Sequence, residues 1–254
     1  MLILALSSSL AVAAPPSSEA LRAAWSAQQP AVSTNSNMRI LLEDRDFDVI
    51  AKGGVAKHRI AVDGADLAMG ASWLDVPIDQ VWLAIQDSRH KPLSPNAKIF
   101  WLAGTTAEKR YIYGWLDLPA PFRDRQWVTA VTNNGALYEA TDGATWERTW
   151  VVDDQTRTPQ SDPNAMWMEI NDGGWMLIPV DGGTLTVFSA RAVVGGMIPD
   201  ELATRWAMGR LDETMAKVGE IAVEMPEHYR GEHQVVLRPN RVGVPRFDET
   251  ARAP

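Results

Sequence analysis

The chain has 254 residues, 46% hydrophobic and 22% charged, with a formal net charge of −8, which is enough for one large domain or two small ones. Eleven tryptophans stand against no cysteine, so disulfides, thiolate metal sites and a cysteine nucleophile are excluded. The acidic balance argues against nucleic acid as a partner and against adhesion to an anionic membrane by charge alone, and no apolar run of membrane-spanning length follows the N-terminus.

Leu2 to Val12 form a stretch of apolar and small residues, and Ala11-Val12-Ala13 fits a small-x-small cleavage pattern with Ala14 next. Residues 1–13 therefore read as an export signal, one without a basic residue ahead of its apolar core, and the expected location is periplasmic or secreted. Residues 14–46 read as a linker with two short helices, Ser18 to Gln28 and Met38 to Asp46. Ser17-Ser18-Glu19 supplies capping groups for the first of them.

The body is expected over residues 47–225. It opens with strand-like "DVIAKGG", "AKHRIAV" and "DLAMGASWLDV", followed by a helix at "VPIDQVWLAIQD". Strand-like segments then follow one another: "AKIFWLAG", "KRYIYGWLDL", "RQWVTAVTN", "ATWERTWVVD", "AMWMEIND", "GWMLIPV" and "GTLTVFSARAVV". Turn signals fall at Asn133–Gly135, Asp172–Gly174 and Asp181–Gly183. Gly195 to Val218 reads as one long helix with Pro199, Asp200 and Glu201 at its start. Met208, Leu211, Met215, Val218 and Ala222 share one face of it, Leu202, Trp206 and Gly209 another. Residues 226–254 read as a polar tail rich in Pro and Arg.

Grouped strands followed by a helix make an α+β pattern. "AMWMEI" and "WMLIPV" lack the alternation of a sheet with one wet face. The sheet is therefore expected to be covered on both faces, or to line an apolar space with one of them.

Several of these segments resemble a known family. "GGWMLIPVDGGTLTVFSARAVVGGMIPDELATRWAMGRLDETM" is similar to the C-terminal half of START domains, the lipid-transfer modules related to steroidogenic acute regulatory protein. "LPAPFRDRQWVTAV" resembles a further family segment, with Asp124, Arg125 and Trp127 in the corresponding places, and "VPIDQVWLAIQD" resembles the early helix of the wider Bet v 1-like superfamily. The resemblance implies a helix-grip fold, in which a curved antiparallel sheet wraps a long C-terminal helix and an internal tunnel holds one lipid. It also implies a hydrophobic partner, such as a sterol, phospholipid or fatty acid, and transient contact with a membrane. An aromatase/cyclase-like enzyme acting on a hydrophobic carbonyl compound in the same cavity is the alternative.

The candidate ligand-contacting residues follow from this frame. Trp101, Tyr113, Trp115, Trp127, Trp146, Trp167 and Trp175 lie in expected strands, where an aromatic side chain serves either as core or as cavity wall. Thr129 and Phe188 join them as candidates. Arg148 and Glu169 are charges inside apolar strands; they either face water or hold a polar part of the ligand, paired with each other if both are buried. Arg191, near the entry to the C-terminal helix, is a third polar candidate. Met197, Trp206, Met208, Leu211 and Met215 are the candidates on or before that helix, methionine being suited both to an adaptable ligand wall and to ordinary core filling.

No cofactor or metal is expected. His58, His90, His228 and His233 fall in no zinc-ligand spacing. The segment "DRDFD" at 44–48 starts like a calcium loop but has Val49 and Val55 where that loop needs Gly and Glu. Nucleophile-elbow, phosphate-loop and dinucleotide signatures do not occur.

Overall fold

The computed structural model describes residues 14–86, 97–102, 109–153, 161–228 and Pro239. The expected export signal, His90, His233 and nearly all of the expected tail lie outside the described residues.

Ser17 caps the first helix, α1 (Ser18–Asn35), by accepting from the Ala20 amide. The helix passes its expected end at Gln28 and carries Pro30 in its interior, because Leu21, Trp25 and Val32 form one buried stripe along its whole length. The segment Met38 to Glu43 is not helical, and helix α2 (Asp44–Ile50) takes the place of the strand expected at "DVIAKGG". Phe47 and Ile50 are buried three residues apart, which is a helical period. Asp46 accepts from the Glu43 amide at 2.7 Å and so closes the first turn.

Strands β1 (Ala56–Ile60) and β2 (Leu67–Leu74), helix α3 (Ile78–Gln86), and strands β3 (Ala97–Trp101), β4 (Lys109–Leu116) and β5 (Arg125–Asn133) follow as expected. Asn134 then caps a helix that the sequence reading missed, α4 (Gly135–Ala140), by accepting from the Leu137 amide. Strands β6 (Trp146–Val152), β7 (Met166–Trp167), β8 (Ile170–Val180) and β9 (Gly183–Val193) complete the sheet. The spatial order is β1-β2-β9-β8-β6-β5-β4-β3, antiparallel throughout, with the two-residue β7 beside β5 in parallel.

Two of the expected turns differ in outcome. Asp181 and Gly182, with φ of 50° and 81°, make the two-residue β8–β9 hairpin turn, which requires positive φ at both positions. Asp172-Gly173-Gly174 instead lies within β8. Its glycines admit large neighbours: a Cβ on Gly173 would lie 2.3 Å from the Trp150 ring, and one on Gly174 would lie 2.6 Å from the Met38 sulfur.

Both faces of the sheet are covered, which explains the near-continuous apolar runs of β2 and β8. The outer face carries α1, α2 and α4, and its core gathers Leu21, Trp25, Phe47, Ile50, Met69, Trp73, Met176, Ile178 and Leu185. The inner face meets α3 and the C-terminal helix, with Trp82, Trp146, Trp175, Leu177, Met215, Val218 and Ile221 between them.

The expected long C-terminal helix is two helices, α5 (Asp200–Gly209) and α6 (Leu211–His228), separated at Arg210. Leu211, Met215, Val218, Ile221, Ala222 and Met225 form the buried stripe of α6. The second apolar face belongs to α5, which lies against β1, β2 and β9 and buries only Thr204. Arg125, almost wholly buried, donates to the carbonyls of Val194 and Gly195 and so fixes the chain between β9 and α5.

Candidate functional site

Strand register decides which side chains face α3 and α6. On the inner face Trp101 lies opposite Ile112, which lies opposite Thr129. Gly114 lies opposite Trp127, Val131 opposite Trp150, and Trp175 between Arg148 and Phe188. The Phe188 ring meets Trp175 at 4.5 Å and stacks on Trp150 at 6.1 Å between centroids. The Trp127 indole lies over Gly114, where a Cβ would stand 2.2 Å from Cε2. Trp146, Trp175, Thr129, Leu211 and Met215 are buried in this region, whereas Trp101, Trp127, Trp150 and Phe188 are only half-buried despite facing inward.

A polar cluster closes one part of this face, at the C-terminal end of α3. The Arg148 guanidinium donates through Nη1 to the Ile85 carbonyl, and Arg110 donates through Nη1 to the Gln86 carbonyl at 3.2 Å. Gln86 Nε2 donates to Asn133 Oδ1 at 2.8 Å. Exposed carbonyls make a helix C-terminus the negative end of its dipole, a favourable place for cations. Arg110 also lies over the Trp101 ring, 4.9 Å from its centroid. Burial, and after it the charge of Arg110, lower the pKa of Arg148 from the ordinary guanidinium value to about 9, which leaves it charged at neutral pH. Arg148 Nε and Gln86 Oε1 are buried without a hydrogen-bond partner among the described residues.

The other candidates lie elsewhere. Glu169 is exposed, and the pairing of Arg148 with Glu169 does not form. The β6–β8 ladder begins at Trp150 and Gly173, so Glu169 stands beyond its end. Tyr113, Trp115 and Trp167 are on the outer side of the sheet. The Tyr113 hydroxyl donates to Gln126 Oε1 at 3.0 Å, its ring meets Trp167 at 6.5 Å, and Lys98 lies over Trp115 at 4.8 Å. Arg191 also belongs to the outer side; it pairs with Asp172 at 2.9 Å beside a cleft of about 290 Å³ that Met38, Arg39 and Thr149 help to line. Met197 and Trp206 are 77% and 56% exposed, and Met208 is half-buried.

Arg110, Gln86 and Asn133 were missed by the sequence reading. Arg110 shares its strand phase with Ile112 and Gly114, while the neighbouring phase carries Tyr111, Tyr113 and Trp115 and draws the eye away. Among the described residues no group of three or more acidic or histidine side chains could hold a metal ion. The segment 44–48, expected to be a solvated acidic stretch, lies within α2, and its Asp46 is buried against His58 at 2.8 Å.

No protein-family model matches the chain, and no curated protein matches it in sequence. Solved structures do match. Human STARD10 superposes with a TM-score of 0.56 at 14% identity, over 76% of this chain and 84% of that one. A STAR-related lipid transfer protein fragment from Xanthomonas axonopodis gives 0.55 at 19% identity, over 67% and 99%. The fold is START-like. Human StAR-related lipid transfer protein 5 agrees, with a TM-score of 0.51 at 11% identity, over 83% and 99% of the two chains. In this START-like helix-grip frame α6 is the gripped helix, and the half-buried aromatics lie on the sheet face turned toward it.

Proposed function

We propose that the protein binds one hydrophobic, lipid-like molecule between the inner face of the sheet and helices α3 and α6, and carries or sequesters it without transforming it. The observation that carries this reading is the incomplete burial of Trp101, Trp127, Trp150 and Phe188 on a face otherwise built as core. Large aromatic surface left open on an inward face is suited to an apolar ligand. The START-like neighbours named as lipid-transfer proteins support the same reading. A ligand hiding roughly 400 Å² of apolar surface gains about 10 kcal/mol gross at about 25 cal/mol per Å², and the costs of association and ordering remove part of that.

The cyclase-like alternative calls for a base or acid converging with an arginine on one point. Of the two charged candidates inside apolar strands, Arg148 faces inward but Glu169 faces solvent, so they do not supply such a pair. Export through residues 1–13 remains part of the proposal and places the carrier outside the cytoplasm. Solvent extraction of the purified chain followed by mass spectrometry tests the binding reading. A lipid present in near-stoichiometric amount is the expected result. A folded protein that is empty, and stays empty after exposure to sterols, phospholipids and fatty acids, contradicts it.

A further inference from the structure

In the polar cluster at the end of α3, one buried cation, Arg148, has no acidic partner among the described residues. Arg148 is 7% exposed, yet among the described residues its one hydrogen bond goes to a neutral carbonyl, that of Ile85. Its Nε is buried and, among the described residues, unpartnered. The like charge of Arg110 adds to the effect of burial in disfavouring its charged form. The C-terminus of a helix supplies about half an elementary negative charge, which falls short of one arginine. A buried cation without a counter-ion is strongly unfavourable, and a guanidinium offers five N–H donors arranged to meet an oxyanion in two parallel bonds. Beside this cluster the wall turns apolar: Arg110 lies over Trp101, and Trp150 and Phe188 stack on the adjoining strands.

We infer that the ligand is an acidic amphiphile, with a single anionic head group seated against the Arg148 guanidinium at the end of α3 and its apolar body along Trp101, Trp127, Trp150 and Phe188. This rests on the ligand site proposed above and names the chemical class it takes. A carboxylate and a phosphate monoester both supply the required chemistry. A neutral hydroxyl head group, as in a sterol or an alcohol, leaves the cation without its counter-charge.

The test compares ligands of one chain length and three head groups. Dodecanoic acid, dodecyl phosphate and dodecanol are titrated calorimetrically into the full chain, the Arg148→Met variant and the Arg148→Lys variant. The wild-type chain is expected to bind at least one of the two acids about tenfold or more tightly than the alcohol, and the ranking of the two acids tells carboxylate from phosphate. Arg148→Met should lose that preference while keeping its affinity for the alcohol, and Arg148→Lys should restore part of it. Equal affinities for all three ligands in the wild type overturn this inference and leave the apolar site standing. Binding of none of them overturns both. A preference that survives in a folded Arg148→Met chain places the anion elsewhere and also overturns it. If Arg148→Met does not fold, the wild-type ranking decides alone.

Discussion

At Gly114 the sheet makes room for an indole. A methyl group there would meet the Trp127 ring at 2.2 Å, with Trp127 directly opposite on β5. Gly114→Ala is therefore expected to lower the unfolding free energy by about 1–3 kcal/mol, as overpacking does, read as a lower urea midpoint at unchanged slope. An unchanged midpoint would mean that the indole is not held against the strand. Adjacent residues also show what a strand conceals in its sequence. Arg148 faces inward, and its place between Trp146 and Trp150 drew notice without the structure. Glu147 faces outward and is fully buried; it accepts from the Asn37 amide at 2.9 Å and from Asn134 Nδ2 at 2.8 Å. Asn37 is 110 positions away in the chain, so no local pattern marks Glu147 as the satisfied carboxylate, whereas the exposed Glu169 stands out inside its apolar run.

Among the elements, α5 and α6 divide the work that one helix was expected to do. The two apolar stripes were legible at helical spacing. The break between them was not, because a lone glycine such as Gly209 is tolerated inside a helical pattern. The division predicts a sharp contrast in stability. Met215→Ala on the buried face of α6 should cost about 2–5 kcal/mol through the cavity it leaves. Trp206→Ala on α5, at a side chain 56% exposed, should change stability by less than about 0.5 kcal/mol. Equal losses in chemical denaturation would show that α5 is packed as core. The strand expected at "DVIAKGG" failed for a related reason: in a short apolar run, burial of Phe47 and Ile50 on one helix face outweighs the β-preference of Val49 and Ile50.

For the whole molecule, the α+β class and the chain order of β1 to β9 around α3 were legible, since both depend on period and turn signals; α2, α4 and the break between α5 and α6 were not. The START resemblance rested on β8, β9 and the segment after them, together with residues 118–131 leading into β5 and residues 76–87 around α3. Which phase of each strand faces α6 was not legible. A one-residue change of phase carries every side chain of a strand to the other face, and Tyr113, Trp115 and Trp167 went to the outer side while Trp101, Trp127 and Phe188 went inward. Two aromatic sets on opposite faces look alike in sequence. Photo-crosslinking separates them: an alkyl ligand with a diazirine on its chain is bound to the full protein, irradiated, and the labelled residues are mapped by mass spectrometry. The account predicts labels on β3, β5 and β9 at Trp101, Trp127 and Phe188, and on α6 at Met215. Labels confined to Trp115, Trp167 or Trp206 would contradict it.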